Sequence, residues 1–352
     1  MKLSVAIGYM TARDRPADAA TLTQHAEALG FDTVWASEAY GTDAVSVLGY
    51  LAGRTEKINI GSAVLQIPGR TPAMTAMTAS GLDAVSDGRR FRLGLGVSGP
   101  QVVEGWHGQP FAKPLARTRE YVGLVRQALS GEIVRSDGPH YPLPLPGGAG
   151  KPLKLMARPV ADRVPIYLAA VGPKNLELTG EIADGWQGLF YAPDQSAETT
   201  EALARGREKS GRSADDFDAM VSVGLAAGDD LTTCADALRP WVALYIGGMG
   251  SRKHNFYNAL AVRMGYADEA AEIQDLYLAG DQRAAARAVP SELIERVSLL
   301  GDQTRLRDQL TAFADSGITQ VAVMPQARSL PAKLEQLDAI AAAHAETSAP
   351  GV

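Results

Sequence analysis

Two hydrophobic patterns alternate along this chain. Short runs dense in β-branched and apolar residues recur at 3–8 (LSVAIG), 33–36 (TVWA), 58–64 (INIGSAV), 91–95 (FRLGL), 165–172 (PIYLAAVG), 185–190 (GWQGLF), 220–226 (MVSVGLA) and 320–324 (QVAVM). Runs of this length bounded by glycine or polar residues read as buried strands. Between them lie segments whose apolar positions repeat at helical spacing. One covers 16–29, with Ala19, Leu22, Ala26 and Leu29 on a face and Gly30 in the C-cap position. Another covers 72–85, with Thr71 as N-cap and Pro72 at the first helical position, where a missing N–H costs nothing. Its predicted inner stripe is Met74, Met77, Leu82 and Val85, and it stops at Asp87-Gly88. Further helices are predicted at 43–53, 115–129, 174–182, 195–210 and 305–316, with a terminal one from Pro331.

Eight strands separated by helices imply parallel βαβ units, because parallel neighbours need a crossover connection. The phrase helix, glycine, hydrophobic residue, two residues, strand returns in ALGFDTVWAS and ADSGITQVAV, and more loosely in IADGWQGLF. Each unit turns back in the same way. The predicted fold is a (β/α)8 TIM barrel, an α/β architecture, occupying 1–352 as one domain. An open doubly wound sheet is the alternative. Two stretches break the rhythm and read as insertions: about 132–163, a hairpin IVRSDGPHYPL followed by a Pro/Gly-rich loop, and about 245–296, a helical excursion. In a barrel, chemistry belongs on the loops after the strands' C-terminal ends.

Composition narrows the class. The net charge is −6, with no long basic block, so nucleic acid is not an expected partner. No apolar run approaches the length of a membrane span, and the N-terminal MKLSVAIGYMTARDRP reads as a first strand, not a signal peptide, so a cytoplasmic protein is expected. The single cysteine, Cys234, rules out an internal disulfide and reads as a small buried hydrophobe. The five histidines show no metal-ligand spacing, so no metal is expected.

Several loops carry candidate chemistry. Gly94-x-Gly96-x-x-Gly99 has the letters of a dinucleotide fingerprint, but Pro100 and a long loop are predicted where a helix should open, and Glu120 falls inside a helix. As the loop after the fourth barrel strand, its bare backbone lets a ring or phosphate approach closely. In AAVGPKN, Pro173 opens a helix at a Val171-Gly172 turn, a place where exposed N–H groups and the helix dipole favour a phosphate, with Lys174 nearby. An ordinary βα turn is the plainer reading. Glu38 follows the second strand, where an acid can contact a cofactor ring or exchange protons, or be merely a solvated loop carboxylate. Trp106 and His107 lie on the loop presumed to cover the barrel mouth, as substrate contacts or as structural aromatics. Gly96-Val97-Ser98-Gly99 is no nucleophile elbow, which disfavours a hydrolase.

IGSAVLQIPGRTPAMTAMTASGLDAVSDGRRFRLGLGVSG resembles the central segment of the bacterial luciferase-like monooxygenase superfamily. FDTVWASEAYG, IYLAAVGPKNLELTGEIADGW and SLLGDQTRLRDQLTAFADSGITQVAVMP resemble its other blocks, in order, and the details are most similar to the branch that uses the deazaflavin coenzyme F420. The resemblance implies a non-proline cis peptide at Ala63–Val64, after Ser62, supporting the deazaflavin ring. It places Glu38 beside the ring, Val97 and Ser98 in the fourth-strand loop, and Val171, Gly172 and Pro173 at the phosphate. Two positions depart from the branch's sugar-phosphate dehydrogenases: Ala39 stands where they have histidine, and Gly99 where they have glutamate. Both of that subgroup's proposed proton-transfer groups are absent, which counts against a sugar-phosphate reaction.

The implied activity is hydride transfer between F420 and a small organic substrate such as an activated alkene, carbonyl or imine, with Glu38 as proton donor or ring contact. Tyr9, Tyr40, Leu65, Trp106 and Tyr191 are expected to form an apolar mouth for an uncharged substrate, with Arg13 and Arg70 available for a phosphate or acidic tail. The alternatives are an FMN-dependent monooxygenase and a non-catalytic deazaflavin-binding barrel. The family resemblance also implies a homodimer.

Overall fold

The computed structural model describes residues 1–11 and 14–347, and Arg13 lies outside the described residues. Among the described residues there are ten strands: β1 (Lys2–Gly8), β2 (Thr33–Ala36), β3 (Asn59–Ser62), β4 (Leu65–Gln66), β5 (Phe91–Gly96), β6 (Ile166–Ala169), β7 (Gly185–Leu189), β8 (Asp218–Ala227), β9 (Ser298–Gly301) and β10 (Gln320–Pro325). All pairings among them are parallel, and β10 bonds both β1 and β8, which closes the sheet into a barrel. The third barrel strand is split into β3 and β4, so the barrel has eight staves, as the alternation predicted. The ninth strand was not foreseen: SLLG extends the ladder along the far end of β8, from Gly224↔Ser298 to Ala227↔Gly301.

Alternation along the strands sends large aliphatic side chains outward against the helices. Val5, Val34, Ile60, Leu93, Ile166, Val221 and Val323 belong to that layer and are fully buried. The interior is filled differently. Ala6, Trp35, Tyr167, Met220 and Ala322 come together from five strands, with Trp35 edge-on to Tyr167 at 5.3 Å between ring centroids. Two bulky rings fit only because neighbouring strands give way. A Cβ on Gly61 would sit 2.4 Å from the Trp35 ring, and one on Gly185 would sit 2.4 Å from Tyr167.

Two expectations about helices change. In Pro72–Val85 the apolar stripe is not the inner face: Met74, Met77 and Val85 are 51%, 56% and 57% exposed. The buried face is Thr75, Ala76, Ala79, Ser80, Leu82 and Asp83. Small residues there let the helix approach Pro114–Leu129 closely, with Thr75 Oγ1 hydrogen-bonded to Tyr121 at 2.5 Å. Size, not hydrophobicity, selected the face. The buried Asp83 carboxylate accepts the N–H groups of Arg89, Val160 and Ala161, which ties the end of the first insertion to this helix. Glu120 does the same for the hairpin, accepting from His140 and Tyr141. The second correction concerns 100–105. A short helix, Pro100–Gly105, opens directly after Gly99 where a loop was expected.

The second insertion begins where helix Leu231–Ala243 widens into a π-helical segment, Leu244–Gly248. Helices Phe256–Arg263, Ala267–Leu278, Gln282–Arg287 and Ser291–Val297 follow. They bury a hydrophobic core of their own with Leu238, Val242, Ile246, Ile273 and Ile294, continuous with Phe190 at the end of β7. Cys234 lies in that core, and burial pushes its thiol upward.

Candidate active site

A cavity of about 660 Å³ opens at the C-terminal ends of the strands. Its walls are Tyr9 after β1, Ser37 to Tyr40 after β2, Ala63 and Val64 between β3 and β4, Val97 to Gly99 after β5, and Val171 to Asn175 after β6. The second insertion completes it with Tyr245, Met249, Phe256 and Tyr257.

The wall between β3 and β4 is built by substitution of side chains for backbone. The β3–β5 ladder stops at Gly61↔Arg92, and the Ala63–Val64 peptide bond is cis. Ser62 carries the pairing onward: its hydroxyl donates to Gly94 O and accepts from Gly94 N, both at 2.9 Å. The Ser62 carbonyl accepts Gln187 Nε2 at 3.0 Å, and Ala63 N donates to Ala36 O at 2.8 Å. The Ser62 hydroxyl, its carbonyl and the Ala63 N–H thus each find a partner, as burial requires. The strand glycines follow from this geometry. A Cβ on Gly94 would lie 1.8 Å from Ser62 O, and one on Gly96 would lie 2.5 Å from Val64 Cγ2. Ser62 itself is fully buried behind the wall and does not line the cavity, whereas Ala63 and Val64 do. The side chain is a brace and not a ligand contact.

Glu38 lines the cavity, but its carboxylate is fully engaged. Arg70 donates to both oxygens, at 2.5 and 2.7 Å, in a fork that leaves the two side chains 8% and 16% exposed. Gln66 N and Ala44 N add bonds at 3.2 and 3.3 Å. The carboxylate hydrogen bond raises the already high pKa of Arg70, outweighing its burial. The pair locks the loop after β2 to the turn after β4. Arg70 is therefore not available for a phosphate tail, and Glu38 spends its acceptor capacity inside the protein.

Val171, Gly172 and Pro173 sit where the phosphate turn was predicted. Helix Pro173–Ile182 starts there with Gly172 as N-cap and no capping side chain, and Lys174 and Asn175 also face the cavity. Val97 and Ser98 line the opposite side, Ser98 in the left-handed backbone region at φ 58°. Such a conformation in a non-glycine residue concentrates at functional turns.

The apolar mouth is only partly as expected. Tyr9 and Tyr40 line the cavity. Leu65 is buried in the main core, and Tyr191 packs between Trp186 and Phe313 while donating to Ser316 O. Trp106 is 67% exposed and His107 sits behind Gln66, its Nε2 3.3 Å from Gln66 Oε1, so neither lines the cavity. The unforeseen helix Pro100–Gly105 is the cause, since it carries Gln101 and Val102 to the cavity and turns the next two residues away.

The residues that sequence reasoning missed come mostly from the second insertion. The π segment points Tyr245 inward, and Asn255 holds it: Nδ2 donates to Tyr245 O and Ile246 O, while Oδ1 caps the next helix through Tyr257 N and Asn258 N. π-Segments of this kind recur at functional sites. Tyr245 and Tyr257 meet edge to face at 4.9 Å, backed by Phe190 and Trp241. Burial raises both phenols, Tyr257 to about 12, and raises Tyr9 as well.

Residues 2–320 match the family model for luciferase-like monooxygenase. The chain belongs to that family. Among its relatives, a Mycobacterium tuberculosis protein named as a coenzyme F420-dependent oxidoreductase is 42% identical over 330 residues, covering 92% of this chain and 94% of the relative. The 5,10-methylenetetrahydromethanopterin reductase of Archaeoglobus fulgidus is 30% identical over 302 residues, covering 84% and 86%. Among solved structures, the coenzyme F420-dependent tetrahydromethanopterin reductase of Methanopyrus kandleri superposes with a TM-score of 0.82 at 25% identity, covering 97% of this chain and 98% of that one. An F420-dependent secondary alcohol dehydrogenase shares the fold with a TM-score of 0.78 at 19% identity, covering 98% and 100%. In this luciferase-like barrel, Ala39 and Gly99 both line the cavity, so no proton-transfer side chain stands at either place.

Proposed function

We propose that this protein is a coenzyme F420-dependent oxidoreductase that moves a hydride between the deazaflavin and a small uncharged organic substrate. The observation that carries the reading is the near full-length 42% identity to a relative named for that cofactor. The residues present fit such a group. Ala63, Val64 and Val97 offer an apolar wall for a flat ring, and Gly96 is bare because Val64 occupies the space its Cβ would fill. The uncapped helix N-terminus at Gly172-Pro173, with Lys174 beside it, suits an anionic phosphate.

A bound reduced deazaflavin supplies a hydride, and the protein's own tasks are to bind, orient and exclude water. Glu38 acts here as a positioning residue. Its ion pair with Arg70 locks the loop after β2 to the turn after β4, next to the strand that follows the Val64 wall, and a proton donor must come from elsewhere. The sugar-phosphate reaction is not proposed, because Ala39 and Gly99 offer no titratable group.

FMN would use the same barrel and phosphate turn. Titration of the apoprotein with each cofactor, read by fluorescence, separates the two: deazaflavin binding at micromolar or better is expected. Tight FMN binding with no deazaflavin binding would refute the proposal. Deazaflavin binding with no acceptor oxidising the reduced form, across ketones, aldehydes, enones and imines, would favour a non-catalytic binder.

A further inference from the structure

The cavity has a polar cluster that neither the cofactor wall nor the phosphate turn uses. Tyr9, Tyr245 and Tyr257 converge there from the end of β1 and from the second insertion, half-buried, with Tyr40 at the exposed rim. Among the described residues no hydrogen bond uses these hydroxyls, and none of them is a closed-off buried atom, so they are open to the cavity and available to a ligand there. The Tyr245 and Tyr257 rings are fixed by edge-to-face packing against Phe190 and Trp241, so their hydroxyls are presented rigidly.

The charged groups lining the same cavity are few. Lys174 belongs to the phosphate turn and Glu38 is neutralised by Arg70. Among the described residues no other charged side chain lines the cavity. The remaining lining near the tyrosines, Met249 and Phe256, is apolar.

We propose that Tyr245, Tyr257 and Tyr9 form the substrate subsite, donating hydrogen bonds to the carbonyl oxygen of an uncharged ketone or aldehyde. This rests on the hydride-transfer reading above. In the reductive direction, hydride bonds to the carbonyl carbon and the C=O π pair moves onto oxygen. That oxygen takes a phenolic proton, and the phenolate is reprotonated from solvent, so the reduced deazaflavin is oxidised by two electrons and the carbonyl becomes an alcohol. The phenols, held protonated by burial, are donors throughout the neutral range.

The test uses cofactor-loaded protein, with the oxidised deazaflavin or with FMN if only FMN binds, and ¹³C-carbonyl cyclohexanone as probe. Ketone affinity and the infrared carbonyl stretch are measured for wild type, Tyr245→Phe, Tyr257→Phe and the double variant, with cofactor affinity and melting temperature alongside. The expected result is a downshifted stretch in wild type, reverting toward the free ketone in the double variant, with about tenfold weaker ketone binding. Cofactor affinity should be unchanged. Equal ketone affinity and an equal stretch in wild type and double variant would overturn the proposal, as would a wild-type stretch identical to free ketone. Loss of deazaflavin binding with a persistent shifted stretch would instead sink the cofactor reading and leave the phenol subsite standing.

Discussion

The Glu38–Arg70 pair makes the sharpest quantitative test. Arg70→Ala removes both short hydrogen bonds, at 2.5 and 2.7 Å, from a carboxylate only 8% exposed. Breaking a buried pair from one side typically costs about 3–5 kcal/mol, because the surviving charge stays buried without its partner. Here Gln66 N and Ala44 N still bond Glu38, so the lower end, about 3 kcal/mol, applies. For a chain of 352 residues, an unfolding entropy of about 2.1 cal/mol/K per residue converts this to a melting shift of roughly 4 °C. Glu38→Ala strands Arg70 and should cost a similar amount. Removing both leaves no orphaned charge, so the double variant should lose no more than either single. A double-mutant cycle by calorimetry and urea titration should therefore give a coupling of about 3 kcal/mol. Additivity within about 0.5 kcal/mol would refute the claim that the pair acts as one unit. A proton-donor role for Glu38 gives a different signature, since Glu38→Gln would then abolish turnover while leaving cofactor affinity intact.

Three further outcomes follow from the geometry. Gln187→Leu removes the donor to Ser62 O and should cost about 1–3 kcal/mol with weaker cofactor binding; unchanged urea midpoint and affinity would remove Gln187 from the brace. Gly96→Ala should weaken cofactor binding at least tenfold by pushing Val64 away, while Gly94→Ala, aimed at a backbone oxygen, should compromise folding itself. Gly94→Ala purified with wild-type stability would contradict the packing derived for β3. Glu27 bonds Glu56 N, Lys57 N and Ile58 N at 2.9, 2.6 and 2.9 Å. Burial pushes its carboxyl up, but these three donors and Arg90 outweigh it and hold the group below the usual range. A depressed folded-state pKa contributes stability above the unfolded value that is lost as pH falls through the folded one. Glu27→Gln should thus be destabilised at pH 7 and converge on wild type at acid pH. A stability gap that stays constant from pH 7 to pH 3 would show the linkage to be wrong.

The sequence by itself determined the barrel and the address of its site. Strand runs such as TVWA and QVAVM are short, apolar and punctuated by repeated αβ turns, and that is a local signal that survives without tertiary context. The same holds for the Gly172-Pro173 turn, because proline at a first helical position is a local rule. The family resemblance added Ser62-Ala63-Val64, which no periodicity marks. What the chain alone could not show is how residues far apart in sequence divide the work. Gln187 is one polar residue in a strand until it lies against Ser62. Arg70 looks like a free cation until folding places it on Glu38, 32 residues earlier. Met74 and Met77 form an apolar stripe on paper, yet close approach of two helices selects threonine and alanine for the buried face. Trp106 and His107 were misplaced because a six-residue helix has too little pattern to declare itself. The tyrosines of the second insertion were invisible as a group for the most general reason: a hydroxyl's role depends on whether a partner stands opposite it, and only the folded chain fixes that distance.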